Sequence, residues 1–407
     1  MSALNNTLAL AAVSLVAAGN AKAENNWNTD VSFLSYNESQ ERVSVSKTIW
    51  DLTHLTDDQS TTVQLVYDTM SGASPTGAIR GSEGSVTYTG PSGGSGFSTS
   101  GQGDTAAATF TDTRTQLGID QERELNRAHT LSYGAVYSTE SDYESFGGSV
   151  GLTRESASKN TTLDIGFAAT FDTISRSFAQ GTPAPLTTTS TSRDFSDGQR
   201  NTTDIAVGLT QVLNRSTLAQ LTLSLSQSQG YHTDPYKVIS AADDSDRVLE
   251  NYTESRPDSR QRTSVYAKIV HQLNDTKNSI HLGYRLYNDD WGIQSNTVDA
   301  RYHHQLTPKQ FIEPHVRFYQ QTEADFYQRK LNVDDNLRTI LPEDGFVSAD
   351  YRLDAMSSIT VGAKYGLALS SNTKLRFRAA YLQQQFSTAE FDSNTAVIVQ
   401  SSVSYKF

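Results

Sequence analysis

The chain has 407 residues, no cysteine, a hydrophobic share of 36% and a formal net charge of −12. Without Cys there is no disulfide framework, thiolate metal site or c-type haem attachment, and the acidic balance argues against nucleic acid and against a polybasic membrane anchor. An apolar share this low is unusual for a soluble domain of this length, yet it suits a barrel, where only every second strand residue needs to be apolar.

From the N-terminus, Leu8–Ala18 is an apolar run of signal-peptide length. It is followed by Ala21-Lys22-Ala23, an A-x-A cleavage pattern. The run is too short to span a bilayer as a helix, and the preceding MSALNNT carries no Lys or Arg. The expectation is a signal peptide over 1–23, cleaved after Ala23, and one domain over 24–407.

Period-two alternation then recurs to the end of the chain. It predicts strands at Asp30–Tyr36, Arg42–Trp50, Thr61–Thr69, Thr111–Gln121, Thr130–Ser138, Ser145–Thr153, Thr161–Thr173 and Thr202–Val212. The second half gives Ala219–Gln229, Thr263–Leu273, Ser279–Asp289, Thr297–Gln305, Gln310–Gln320, Ser358–Leu369, Lys374–Phe386 and Thr395–Phe407. In Thr161–Thr173, for example, Leu163, Ile165, Phe167 and Phe171 alternate with Asp164, Gly166, Thr170 and Asp172. Sixteen is an even number, as a closed single-chain bacterial barrel requires. Asp350–Leu353 also looks strand-like. A seventeenth strand would put the C-terminus on the wrong side, so the reading assigns it to a loop.

Connection lengths alternate. Short polar turns fall at 125–129, 156–160, 213–217, 273–277, 306–310 and 370–374, three of them beginning Leu-Asn, a weak hairpin repeat. Long segments fall at 72–110, 174–199, 230–260 and 321–356. Short turns on one side and long loops on the other are the asymmetry of outer-membrane barrels. The stretch 72–110, Gly/Ser-rich in its centre, is expected to be a mobile extracellular loop. The last strand places Val397, Val399, Val403, Tyr405 and Phe407 on one face. An alternating strand that ends on an aromatic residue resembles the assembly signal of such barrels, which assigns that role to Tyr405 and Phe407. The expected fold is therefore all-β: a transmembrane antiparallel up-and-down β-barrel of about 16 strands, with short periplasmic turns and long extracellular loops. In hydrocarbon every backbone polar group must be paired internally, and strands achieve that only by closing on themselves. A secreted or periplasmic all-β protein is the alternative.

Several stretches carry a family resemblance: DTMSGASPTGA at 68–78, DTRTQLGIDQ at 112–121, YHTDPYKVIS at 231–240, RPDSR at 256–260 and YRLYNDDWGI at 284–293. In combination they resemble a bacterial family called domain of unknown function 3570. The resemblance implies an outer-membrane barrel of a Gram-negative cell and implies no reaction.

The inward face follows from the strand parity. It offers His281 and Arg285, then Asp299 and Arg301, then Glu313, His315 and Arg317, then Arg376 and Arg378. Earlier strands offer Asp68, Asp112, Asp120, Asp164, Asp172 and Asp204. Two readings stay open: a transverse field that selects polar solutes in a pore, or cross-strand ion pairing that fills the interior. Near the long-loop ends lie Asp234-Pro235-Tyr236, Arg256–Arg260 and Asn288–Trp291. Their oxygens suit Ca²⁺, but Asx turns and proline-fixed corners explain the same residues. His303 and His304 point to opposite faces on a strand and cannot hold one metal together. With no GxSxG, HExxH or Walker A pattern, no enzyme, metal or cofactor is expected. The leading function is a passive, porin-like transport channel for small polar solutes. The alternative is a non-enzymatic scaffold or binding component of an outer-membrane assembly. Expected partners are outer-membrane lipid, the barrel assembly machinery and a periplasmic or outer-membrane protein, with no nucleic acid.

Overall fold

The computed structural model describes residues 26–39, 42–79, 107–175, 182, 184–188, 197–273, 277–389 and 391–407, together with the backbone of 87–88 and 97–98. The signal peptide and cleavage site expected at 1–23, with Ala21 and Ala23, lie outside the described residues. The twenty strands among the described residues are β1 (Asn26–Glu38), β2 (Val43–Leu55), β3 (Gln59–Pro75), β4 (Thr87–Tyr88), β5 (Phe97–Ser98), β6 (Ala107–Asn126), β7 (His129–Thr139), β8 (Tyr143–Glu155), β9 (Thr161–Ile174) and β10 (Gly198–Asn214). They continue with β11 (Thr217–Gly230), β12 (Val238–Ala242), β13 (Val248–Thr253), β14 (Ser259–Gln272), β15 (Ser279–Asp289), β16 (Gln294–Thr307), β17 (Gln310–Gln321), β18 (Met356–Ala368), β19 (Thr373–Phe386) and β20 (Ser393–Lys406). Sixteen of them form one closed antiparallel barrel, and β12 with β13 and β4 with β5 form separate hairpins outside the wall. All sixteen predicted strands are present. Asp350–Leu353 is loop, with a single 3-10 turn at Tyr351–Leu353. Among the described residues no helix is long and apolar enough to cross a membrane.

Alternation produces the wall. On β9, Ile165, Phe167 and Phe171 are about half exposed, while Asp164, Thr170 and Asp172 between them are buried. The same parity holds around the ring: Leu117 and Ile119, Leu221 and Leu223, Val316 and Phe318, Val397 and Val399 all point outward. The result is an apolar outer band over a polar interior. Glycine has a positional use inside: a Cβ on Gly134 would meet the Asp120 carboxylate at 2.1 Å, so the carboxylate occupies the space that the glycine leaves.

Turn chemistry explains the short end. In two of the Leu-Asn turns the Asn carboxamide oxygen accepts a backbone N–H two residues on, Asn126 from Ala128 and Asn214 from Ser216, each at 2.9 Å. Both turns sit beside a register shift, at Glu124/Asn126 and Val212/Asn214. The barrel closes by pairing β1 with β20, from Asn28↔Lys406 to Glu38↔Ala396. Trp27 and Phe407 add two backbone bonds at the short-turn end, at 3.0 and 2.9 Å.

One boundary differs from expectation. β3 and β6 stay paired out to Pro75↔Ala107, so the loop assigned to 72–110 is shorter at both ends. The alternation there is weak, and ladder hydrogen bonds rather than side-chain patterning extend the strands.

At the long-loop end the connections fold together. Ile239, Ala241, Leu331 and Val347 form one small core, and Trp291, Ile293, Ala324, Phe326, Tyr327 and Leu353 form another. Backbone bonds join the β11–β14 and β17–β18 connections: Leu331 donates to Ser240, and Ser255 and Val347 exchange a pair at 2.8–2.9 Å. Residues 76–79 join them, with Val238 donating to Thr76 at 2.9 Å and the Ile79 amide to the Ser240 hydroxyl at 2.9 Å. This assembly is called the cap below.

Candidate functional site

The inner wall is the site that the sequence points to. His281, Arg285, Asp299, Arg301, Glu313, His315, Arg317, Arg376 and Arg378 all take inward positions, opposite the exposed apolar residues of β15, β16, β17 and β19. They do not form one uniform stripe. Arg301, Arg317 and Arg378 gather around Asp299 and His315 near mid-wall. Arg301 Nε donates to Asp299 Oδ1 at 3.0 Å, His315 Nε2 to Asp299 Oδ2 at 2.6 Å, and Arg378 Nη2 to His315 Nδ1 at 3.4 Å. Arg285 stands apart, donating to Ser264 Oγ at 3.4 Å with its guanidinium over the Tyr287 ring. Arg376 belongs to the closing seam, bonded to Ser404 Oγ at 3.1 Å and 3.9 Å from Asp30. Glu313 holds Lys364 at 2.7 Å and His303 at 3.4 Å. His281 bonds to Ser279 at 2.9 Å.

The predicted acids also face inward, on the opposite arc. Those toward the long loops are paired: Asp68 with Arg114 at 2.6 Å and Asp172 with Arg200 at 2.8 Å. Asp112 accepts from Ser141 at 3.0 Å. Further down, Asp164 accepts from Thr153 at 2.7 Å. Asp51 accepts from Gln64 at 2.8 Å. Among the described residues neither these two nor Asp120 and Asp204 has a cation within ion-pair distance. Parity reasoning overlooked Lys268 on β14 and Lys364 on β18, although alternation in both segments places them inward. The lumen therefore has an acidic arc on β2, β6, β9 and β10 and a basic arc on β14, β15, β17 and β19, each incompletely neutralised.

The loop motifs resolve into structure. In the cap Arg256 Nη2 donates to Glu254 Oε2 at 3.0 Å and to Asp350 Oδ2 at 2.9 Å. Arg352 donates from Nε to Asp350 at 2.8 Å and from Nη2 to Asp234 at 3.0 Å. With Lys237, this makes three acids and three bases, of which Glu254, Asp350 and Lys237 are buried. Burial alone would raise the Asp350 carboxyl, but Arg352, Lys237 and Arg256 overrule it and hold the group well below the usual carboxylate range. Burial raises Glu254, with Arg256 opposing.

The cap reaches the wall on several sides. Tyr236 donates to Asp142 between β7 and β8 at 2.6 Å. Phe326 meets Trp291 between β15 and β16 with centroids 5.1 Å apart. Tyr351 meets Phe386 and Phe391 between β19 and β20. These points are spread around the ring, so the cap crosses the mouth. Tyr236 and Trp291 are thus engaged in this scaffold.

Among the described residues one group could hold a cation: Asp112, Glu140 and Asp142, with ligand atoms within 4.8 Å of one another. Burial pushes Glu140 up to about 8 and Asp142 up to about 6, with neighbouring carboxyls adding to both. His281, His303 and His315 do not converge in this way, and His304 points outward against Tyr302. Tyr405 is exposed on the outer face and stacks on Phe407 with centroids 5.7 Å apart.

Solved structures with a similar fold are outer-membrane proteins. The siderophore receptor PirA from Acinetobacter baumannii is 10% identical, with a TM-score of 0.43 over 90% of this chain and 54% of that one. The CymD monoaromatic hydrocarbon channel is 8% identical, with a TM-score of 0.43 over 95% and 89%. The outer membrane protein opdK from Pseudomonas aeruginosa is 8% identical, with a TM-score of 0.41 over 94% and 99%. The chain thus spans about half the length of the siderophore receptor. The comparison with curated proteins found no match. The fold itself is a closed antiparallel barrel with an apolar outer band and a polar interior. With a family model matching residues 5–400, the chain belongs to the family described as protein of unknown function DUF3570.

Proposed function

We propose that the protein is an outer-membrane channel for small polar solutes, with its short turns in the periplasm and its long loops outside the cell. The observation that carries this is the separation of unpaired charge inside the barrel. Structural ion pairing would put each acid beside a base. Here Asp51, Asp120 and Asp164 stand on one arc, and Lys268, Arg285 and Arg317 on the other, while Asp204 lies across from Arg262. Opposed arcs of unpaired charge create a field across the lumen that orients and sorts polar solutes. The reading assigns the barrel no reaction. Export by the leader at 1–23 and insertion by the barrel assembly machinery, which would read the strand ending at Phe407, belong to the same proposal.

Purified protein in planar bilayers is expected to show stepwise conductance, and proteoliposomes to swell in small sugars. A tight seal, both in the intact protein and after the cap is loosened, would reject the channel. The cap supports a second reading, a closed barrel that serves as a scaffold or binding component of an outer-membrane assembly. Crosslinking in native membranes separates the two, since a lone channel yields only itself.

A further inference from the structure

We propose that Arg301, Arg317 and Arg378, gathered around His315, form an anion-binding station on the lumen wall for small oxyanions, carboxylate- or phosphate-bearing. Its use rests on the channel reading; its binding rests on geometry alone. Three strands bring the groups together. Asp299 and Arg301 alternate on β16 and face Arg317 and His315 on β17. β18 lies between β17 and β19, and at the level of His315 it presents Gly362. A Cβ there would meet the Ala379 carbonyl and Ala380 Cβ at 2.6 Å. The glycine keeps the wall clear, so His315 and Arg378 meet across the intervening strand.

The charge balance points to a ligand. Asp299 is the one carboxylate in the group, and it is shared by Arg301 and His315. Glu313 nearby is occupied by Lys364 and His303. Among the described residues Arg378 has only neutral hydrogen-bond partners, Gln400 at 2.9 Å and the His315 ring. Arg317 has no carboxylate partner among the described residues. Three guanidiniums against one carboxylate leave two positive charges on a wall where the Arg301 side chain is 47% exposed. Guanidinium forks match the paired oxygens of carboxylate and phosphate, and charge-assisted bonds of this kind are the strong ones. Lys268 and Arg285 on neighbouring strands add to the same potential.

Calorimetric titration of the detergent-purified barrel with citrate and, separately, with inorganic phosphate tests the station at low salt. Binding is expected, weakening as added salt shortens the Debye length below ~10 Å. Arg317→Gln and Arg378→Gln should each weaken it about tenfold, the scale of one lost charge-assisted bond. Arg317→Lys should keep most of it. Asp299→Asn should tighten it, because it removes the competing carboxylate; a merely structural Asp299 would show the reverse. Arg215→Gln, on a short turn, is the control. If Arg317→Gln fails to fold, Arg317→Lys and Asp299→Asn carry the test. A folded wild type that binds neither probe, or Gln variants that bind like wild type, would overturn the station. Conductance is scored separately: a barrel that conducts without binding loses the station and keeps the channel, and one that binds without conducting does the opposite.

Discussion

The cap and the lumen wall use the same side chains to opposite ends. In the cap, Asp234, Glu254 and Asp350 meet Lys237, Arg256 and Arg352 in one neutral, largely buried network. On the wall, some acids and bases pair across strands, as Asp68 does with Arg114, but Asp51, Asp120, Lys268 and Arg317 stand without an ion-pair partner among the described residues. A buried charge must be paired, or its desolvation cost goes unrecovered. A charge beside water has no such requirement and can stay available. Pairing therefore marks where the chain uses charge to hold shape, and its absence marks where charge is left to act on something else.

The largest test breaks the cap. Asp350→Ala leaves Arg256, Arg352 and Lys237 without their shared acid, which should cost the cap roughly 3–5 kcal/mol. Limited proteolysis is expected to cut residues 322–355 faster while the barrel stays heat-modifiable. Equal cleavage of both proteins would mean that the network does not hold the cap. Conductance should rise in the variant if the cap restricts the path.

Next comes the seam. Deleting Phe407 removes the two backbone bonds to Trp27, roughly 2 kcal/mol at typical net values. The folded, heat-modifiable fraction should fall with synthesis unchanged. An unaltered outer-membrane yield would count against the assembly role of Phe407.

Acidity should act on two parts of the long-loop end with opposite sign. Asp350 is depressed, so its contribution is present above the unfolded carboxyl value of about 4 and is lost as pH falls further. Glu140 and Asp142 are raised to about 8 and about 6, so the rim they form weakens as pH climbs from the ordinary carboxylate range toward 8. Hydrogen exchange across pH 3–8 should show 348–354 opening at the acid end and 140–142 at the alkaline end. A common trend in both segments would refute the assignment.

The smallest effect sharpens the wall. Arg378→Glu should shift the reversal potential toward cations by about two- to threefold in permeability ratio, the scale of a solvent-screened unit charge a few ångströms away. Arg376→Glu should shift it less, because Arg376 already neighbours Asp30. Equal shifts would place both arginines on the conducting path.

Strand number, parity and the inward positions are legible in the sequence because a two-residue period records which face is apolar. That is why Leu163, Ile165 and Phe167 locate Asp164 without coordinates. The cap is not legible. Its cores join Ile239 to Leu331 and Trp291 to Phe326, contacts between loops with no period and distant in the chain. Nor could parity say which inward arginines meet. Arg376 and Arg378 are two residues apart, yet one faces the seam and the other His315, because the strands flanking them supply different neighbours.

The cap also has a consequence in time. Its bonds join Ile79 to Ser240 and Arg256 to Asp350, pairs 161 and 94 residues apart. Contacts so distant in sequence are slow to find unless something else first brings them near. The closed wall does that, by anchoring both ends of every loop. The cap contacts are therefore expected to form after the wall has closed, an order that pulsed hydrogen exchange during refolding would check.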